Sequence, residues 1–172
     1  MKKFFSLLSV FAVLMLATPA AAQEGSVNRP DGFGIGLGQG TYVSGISLKS
    51  HLGATALQGV VGYGYYGFGF SGDYLWNMPT LVRADPLDLA WNIGVGGSLI
   101  FGDGRWGRRG GWYYPGHDRR GYVAAHVAFV AGLEFILPDI PLDFVIEARP
   151  NLILFPRVWL HFTGGAHVRI YL

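Results

Sequence analysis

The residues of this chain that could do chemistry recur at alternate positions. Asp143, Glu147, Arg149 and Asn151 share one parity, and so do Lys49 with His51, and His161 with His167 and Arg169. Asp73 follows Ser71 in the same way, and Glu134 follows His126 at an even spacing. Carboxylates and cations placed on one internal face must pair, because an isolated charge taken out of water is very costly. The set Lys49, Asp73, Glu134, Glu147, Arg149, His161, His167 and Arg169 therefore predicts an internal polar network. Its expected core is Glu134 or Glu147 with Lys49, Arg149 or Arg169, and His51, Asp88 and Asp143 point to the same face.

Other chemistries lack their residues. The G-x-G-x-G of Gly32–Gly38 is not followed by a helical pattern, as a dinucleotide fold requires. No G-x-S-x-G occurs. The five histidines show no H-x-x-x-H or H-E-x-x-H spacing, and His161 and His167 lie too far apart along a strand to share an ion. No catalytic residue, metal site or cofactor is assigned.

A second charged group is concentrated in one segment. Gly102 to Gly121, GDGRWGRRGGWYYPGHDRRG, carries Arg105, Arg108, Arg109, Arg119 and Arg120 against Asp103 and Asp118. Arginine suits two-point contact with phosphate. The segment is a candidate contact for anionic lipid.

The elements that position these groups are strands. In Leu87–Phe101, LDLAWNIGVGGSLIF, one parity holds Leu87, Leu89, Trp91, Ile93, Val95, Leu99 and Phe101. The other holds Asp88, Ala90, Asn92, Gly94, Gly96 and Ser98, with Ile100 as its large apolar member. That period of two marks a strand with one bulky and one small or polar face. The same reading gives strands over 32–38, 44–52, 55–65, 66–76, 122–137, 142–155 and 158–172. Residues 77–86 and 138–141, both with prolines, read as turns. Pro150 is awkward inside a strand, since a closed sheet has no free edge for a missing N–H.

Before the strands, Met1-Lys2-Lys3, an apolar run to Leu16 and Ala20-Ala21-Ala22 read as a signal peptide over residues 1–22, which leaves 23–172 as one domain. The whole chain carries 13 Lys+Arg and 11 Asp+Glu, and loss of Lys2 and Lys3 makes the remainder formally neutral. That removes any argument for nucleic acid. The 172 residues include no cysteine, so neither a disulfide framework nor an N-terminal lipid thioether is available.

Eight strands fit an all-β, eight-stranded antiparallel up-and-down barrel. An interior of that size holds few side chains, so the small polar face is expected inside and the bulky face outside, against lipid. Aromatics at strand ends, such as Phe33, Trp76 and Phe101, suit the two membrane interfaces. With an even strand number both termini share a side, and the long 102–121 segment falls on the opposite, outer side.

With its leader, eight staves, long third outer loop and strand running to the last residue, the chain resembles the small outer-membrane barrels of the OmpA-transmembrane-domain and OmpX type. The Gly32–Gly38 start, GISLK and PLDFVIEARPNL are similar to an uncharacterised group of such bacterial barrels. The resemblance implies the outer membrane of a diderm bacterium, a monomer, lipopolysaccharide as a lipid neighbour and the barrel assembly machinery as a partner. Those barrels usually end on Phe, whereas this chain ends on Leu172. The role implied is structural or surface-interacting, around a lumen plugged by side chains and without catalysis. Two alternatives are a narrow pore and a lipid A-modifying enzyme. Barrel deacylases use a His-x-Ser pair; here His126 is followed at +2 by Ala128, His161 by Thr163 and His167 by Arg169.

Overall fold

The computed structural model describes residues 29–30, 32–64, 67–102, 122–137, 139–155 and 158–172. Within them the chain forms β1 (Phe33–Gln39), β2 (Ser44–Leu52), β3 (Thr55–Gly64), β4 (Gly67–Asn77), β5 (Val82–Ala84), β6 (Leu87–Gly102), β7 (Tyr122–Leu137), β8 (Leu142–Phe155) and β9 (Trp159–Tyr171). No helix occurs among the described residues. The signal peptide read over residues 1–22 lies outside them.

Eight of these strands are the staves of a closed antiparallel barrel. Each long strand pairs with its sequence neighbour, β1 pairs with β9, and β4 pairs directly with β6. The ninth, β5, falls within the 77–86 stretch for which the sequence predicts a turn. It pairs only with the start of β6, Val82 opposite Leu89 and Ala84 opposite Leu87. There β6 runs past the last residue of β4, and β5 covers its otherwise bare edge.

Alternation sends the bulky parity outward along every stave. Leu37, Ile46, Leu57, Phe70, Leu99, Phe129, Ile146 and Ile170 are exposed, while Lys49, Ser71, Asp73, Ser98, Glu134, Asp143, Arg149 and Arg169 are buried. Inside and outside are thus inverted relative to a soluble barrel. Small residues are what let the inner face accept these groups. A Cβ at Gly96 would overlap the Asp73 carboxylate, and one at Gly38 would overlap the His167 ring.

Three small apolar clusters divide the interior. Val43, Val60, Ile100 and Ala124 pack together with Tyr42 against them; Ala56, Leu75 and Val130 form a second cluster, and Ala90 with Ile136 a third. Val43 comes from the β1–β2 connection, which turns into the barrel instead of out of it. Gly40 N–H donates to Val43 O at 2.8 Å, and Tyr42 sits at φ 59°. A non-glycine residue in that region carries a cost of about 1–2 kcal/mol, so the surrounding contacts must hold it.

The two ends of the barrel differ. Turns 53–54, 78–86 and 139–141, the start of β1 and the end of β9 share one end, called here the turn end. The β1–β2 connection, the end of β6 and the start of β7 lie at the other, the loop end. Pro150 stays within β8 opposite Phe162 of β9. Towards β7 the ladder is interrupted between the pairs Ala128–Asn151 and Ala131–Ala148, and it shifts register between Ala125 and His126. The missing N–H is accommodated by this local opening of one ladder.

Candidate functional site: the buried ionic network

The centre of the lumen is built around Arg149 of β8. Its Nη1 and Nη2 donate to Asp73 Oδ1 at 3.2 Å and Oδ2 at 2.5 Å, and its Nε donates to Glu147 Oε2 at 2.8 Å. Nη1 also donates to Thr41 Oγ1 at 3.1 Å. All five N–H groups of a guanidinium need acceptors when buried, and β4, β8 and the inward β1–β2 turn converge to supply them. Glu147 in turn lies 3.1 Å from His167 Nε2, whose Nδ1 is 3.0 Å from Ser47 Oγ.

A second cluster lies nearer the turn end. Lys49 of β2 pairs with Glu134 of β7 and lies 3.8 Å from Asp143 Oδ2. Arg169 Nε donates to Asp143 Oδ1 at 3.1 Å, and the Tyr171 hydroxyl donates to Oδ2 at 2.8 Å. His51 Nε2 is 3.2 Å from that same hydroxyl.

Gln58 joins the two clusters. Its amide nitrogen donates to Asp73 Oδ2 at 3.1 Å and Glu147 Oε1 at 2.9 Å, while its carbonyl accepts from Arg169 Nη1 at 2.6 Å. Sequence reading passed over Gln58 because it carries no charge, although its parity on β3 is inward. It also passed over Arg29, which lies before β1 and donates from Nε to Glu134 Oε2 at 3.3 Å.

Lys49, Asp73, Glu134, Glu147, Arg149, His167 and Arg169 are thereby brought together, all at 5% exposure or less. His161 is a correction. It was expected in the internal network but is exposed, with Nδ1 2.5 Å from the Tyr42 hydroxyl. Its parity is inward, since it pairs with the buried Asn151. Its height is wrong: β1 stops pairing with β9 at Ala166, and residues nearer the loop end rise past that wall. Asp88 is half-buried at the turn end, opposite Arg83 of β5. Arg105, Arg108, Arg109, Arg119 and Arg120 lie outside the described residues.

One further pair has the residue types of a nucleophile and its base. Ser98 Oγ lies 3.0 Å from His126 Nδ1. Both side chains are buried and inward, and the Tyr42 ring stands over His126 with centroids 4.7 Å apart. Their burial turns both away from the barrel's outer face. No group of three or more His, Asp and Glu side chains among the described residues is placed to hold a metal ion.

What the arrangement does chemically is cancel charge inside a narrow space while filling it. Val43, Val60, Ile100 and Ala124 pack on the loop-end side of the ionic clusters, and Ala90 and Ile136 lie level with Glu134 and Asp143. No family model, curated protein or solved structure matches the chain.

Proposed function

We propose that the chain is a small outer-membrane barrel with a structural or surface-interacting role, its lumen sealed by side chains and its outer face solvated by lipid. This is the architecture of the OmpA-transmembrane-domain and OmpX type. The reading is carried by one observation: ion pairs such as Arg149–Asp73 are buried inside while large apolar side chains are exposed outside. In water the exposed belt would be an aggregation surface; in a bilayer it is the side that belongs against hydrocarbon. A closed barrel also meets the bilayer's demand that every backbone group be satisfied within the protein.

Cell fractionation with heat-modifiable gel mobility tests the proposal. The chain should partition with the outer membrane and run differently before and after boiling. Recovery in the soluble periplasm would overturn it. In planar bilayers the purified chain should give no steady conductance; a stable open level would favour the narrow pore. Altered lipid A mass on deletion would favour the enzyme.

The Arg105–Arg120 segment belongs to the same proposal as a contact for lipid phosphate, including that of lipopolysaccharide. Its ends, Gly102 and Tyr122, are paired at the loop end, which is the outward side if the termini are periplasmic. Assembly by the barrel machinery would read the end of β9, where Leu172 N–H donates to Phe33 O at 3.2 Å.

A further inference from the structure

The strands bury four carboxylates, Asp73, Glu134, Asp143 and Glu147, against three Lys or Arg cations, Lys49, Arg149 and Arg169. A fourth cation comes from outside the staves. Arg29 precedes β1, yet its side chain is only 10% exposed. Its Nε donates to Glu134 Oε2 at 3.3 Å, and its Nη2 donates to Met78 O at 3.3 Å and Trp91 O at 3.4 Å.

Those three acceptors come from three separate elements. Glu134 is on β7, Trp91 is on β6, and Met78 is in the 78–81 connection. Their arrangement is fixed without Arg29, because Met78 N–H donates to Trp91 O at 3.0 Å and Glu134 is already held by Lys49 on its other oxygen. One carboxylate oxygen and two carbonyl oxygens converging on one planar cation make a receptor for a guanidinium. An ammonium is a compact point charge and matches such a planar array less well.

We propose that the turn end of the barrel is a guanidinium-binding site, filled in this chain by its own Arg29. Arg29 is then the stopper held by that site, and it completes the charge balance of the described lumen. The site stands on geometry alone and does not depend on where the barrel resides.

The test is chemical rescue in detergent micelles with the mature chain. Arg29→Ala empties the site, and methylguanidinium is the probe. The variant should be less stable to heat, and millimolar methylguanidinium should raise its midpoint while equal sodium chloride does not, because a ligand that binds only the folded state stabilises it. The chain has no cysteine, so Ala90→Cys gives a single thiol beneath the site, opposite Glu134 in the β6–β7 register. In the Arg29→Ala background, N-ethylmaleimide should label it about tenfold faster, the scale of one lost charge-assisted hydrogen bond, and methylguanidinium should slow it again. Should Arg29→Ala fail to fold, methylguanidinium in the folding buffer should restore the heat-modifiable band. Equal midpoint shifts in wild type and Arg29→Ala, no change in labelling, or no rescue of folding would each overturn the proposal.

Discussion

Arg149 on β8 and Asp73 on β4 meet across the lumen through two parallel contacts, Nη1 to Oδ1 at 3.2 Å and Nη2 to Oδ2 at 2.5 Å. The two strands are not neighbours in the sheet, so the pair braces the barrel across its width. Arg149→Met leaves Asp73 and Glu147 buried with one partner fewer. The expected loss is about 3–5 kcal/mol, the scale for breaking a buried ion pair on one side. Asp73→Asn in the Arg149→Met background should cost far less than Asp73→Asn alone. A double-mutant cycle by urea unfolding checks this, and additive effects would remove the pair's coupling.

Gln58 carries a prediction of its own. It is the neutral link among Asp73, Glu147 and Arg169. Gln58→Leu keeps much of the volume but withdraws one partner from each of three buried charges. The expected cost is about 1.5–3 kcal/mol, the range for hydrogen bonds to charged groups. Ser47→Ala, which removes only the hydroxyl beside His167, should cost less. Equal midpoints for the two variants in urea would show that Gln58 does not join the clusters.

Strand parity made much of this interior legible. The faces of β2, β4, β6 and β8 follow from alternation, which is why Lys49, Asp73, Glu147 and Arg149 could be placed inside. Parity says nothing about height along the barrel, and His161 failed for that reason. The three residues of β5 between Pro79 and Pro86 are too few to show a period. Arg29 was illegible because its partner, Glu134, is 105 residues away and no pattern links them. The inward turn at Thr41–Val43 was hidden likewise, since a connection is expected to run over the surface.

Substitutions on the two faces of β6 test the membrane reading against a soluble one. Leu99 is exposed on the outer side, 37%, while its neighbour Ser98 is buried beside His126. Leu99→Arg should cost about 2–4 kcal/mol for folding into vesicles if that position lies near the bilayer midplane. Ser98→Ala loses one neutral hydrogen bond, worth about 1 kcal/mol. The contrast should shrink in detergent, where an arginine reaches water. A Leu99→Arg variant that folds into vesicles as readily as wild type would place the outer face of β6 away from lipid.

The long connection between Gly102 and Tyr122 tests orientation. Its two ends are paired with each other at the loop end, opposite the end of β9. If the termini are periplasmic, this segment faces outward, and its five arginines offer trypsin sites. Trypsin added to intact cells should therefore cut between 105 and 120 and leave the paired strands protected, because backbone hydrogen-bonded in a ladder must be released before a protease can bind it. Cleavage only after the outer membrane is permeabilised would invert the topology. Replacing Arg105, Arg108, Arg109, Arg119 and Arg120 with Gln tests the lipid contact separately. Binding to vesicles of anionic lipid should weaken in that variant, and wild-type binding should weaken with salt, since exposed charges are screened over about 10 Å at 0.1 M. Barrel stability should be unchanged, because the ion pairs described in the lumen are made by strand residues and Arg29. Unchanged vesicle binding would remove the phosphate contact and leave the orientation standing.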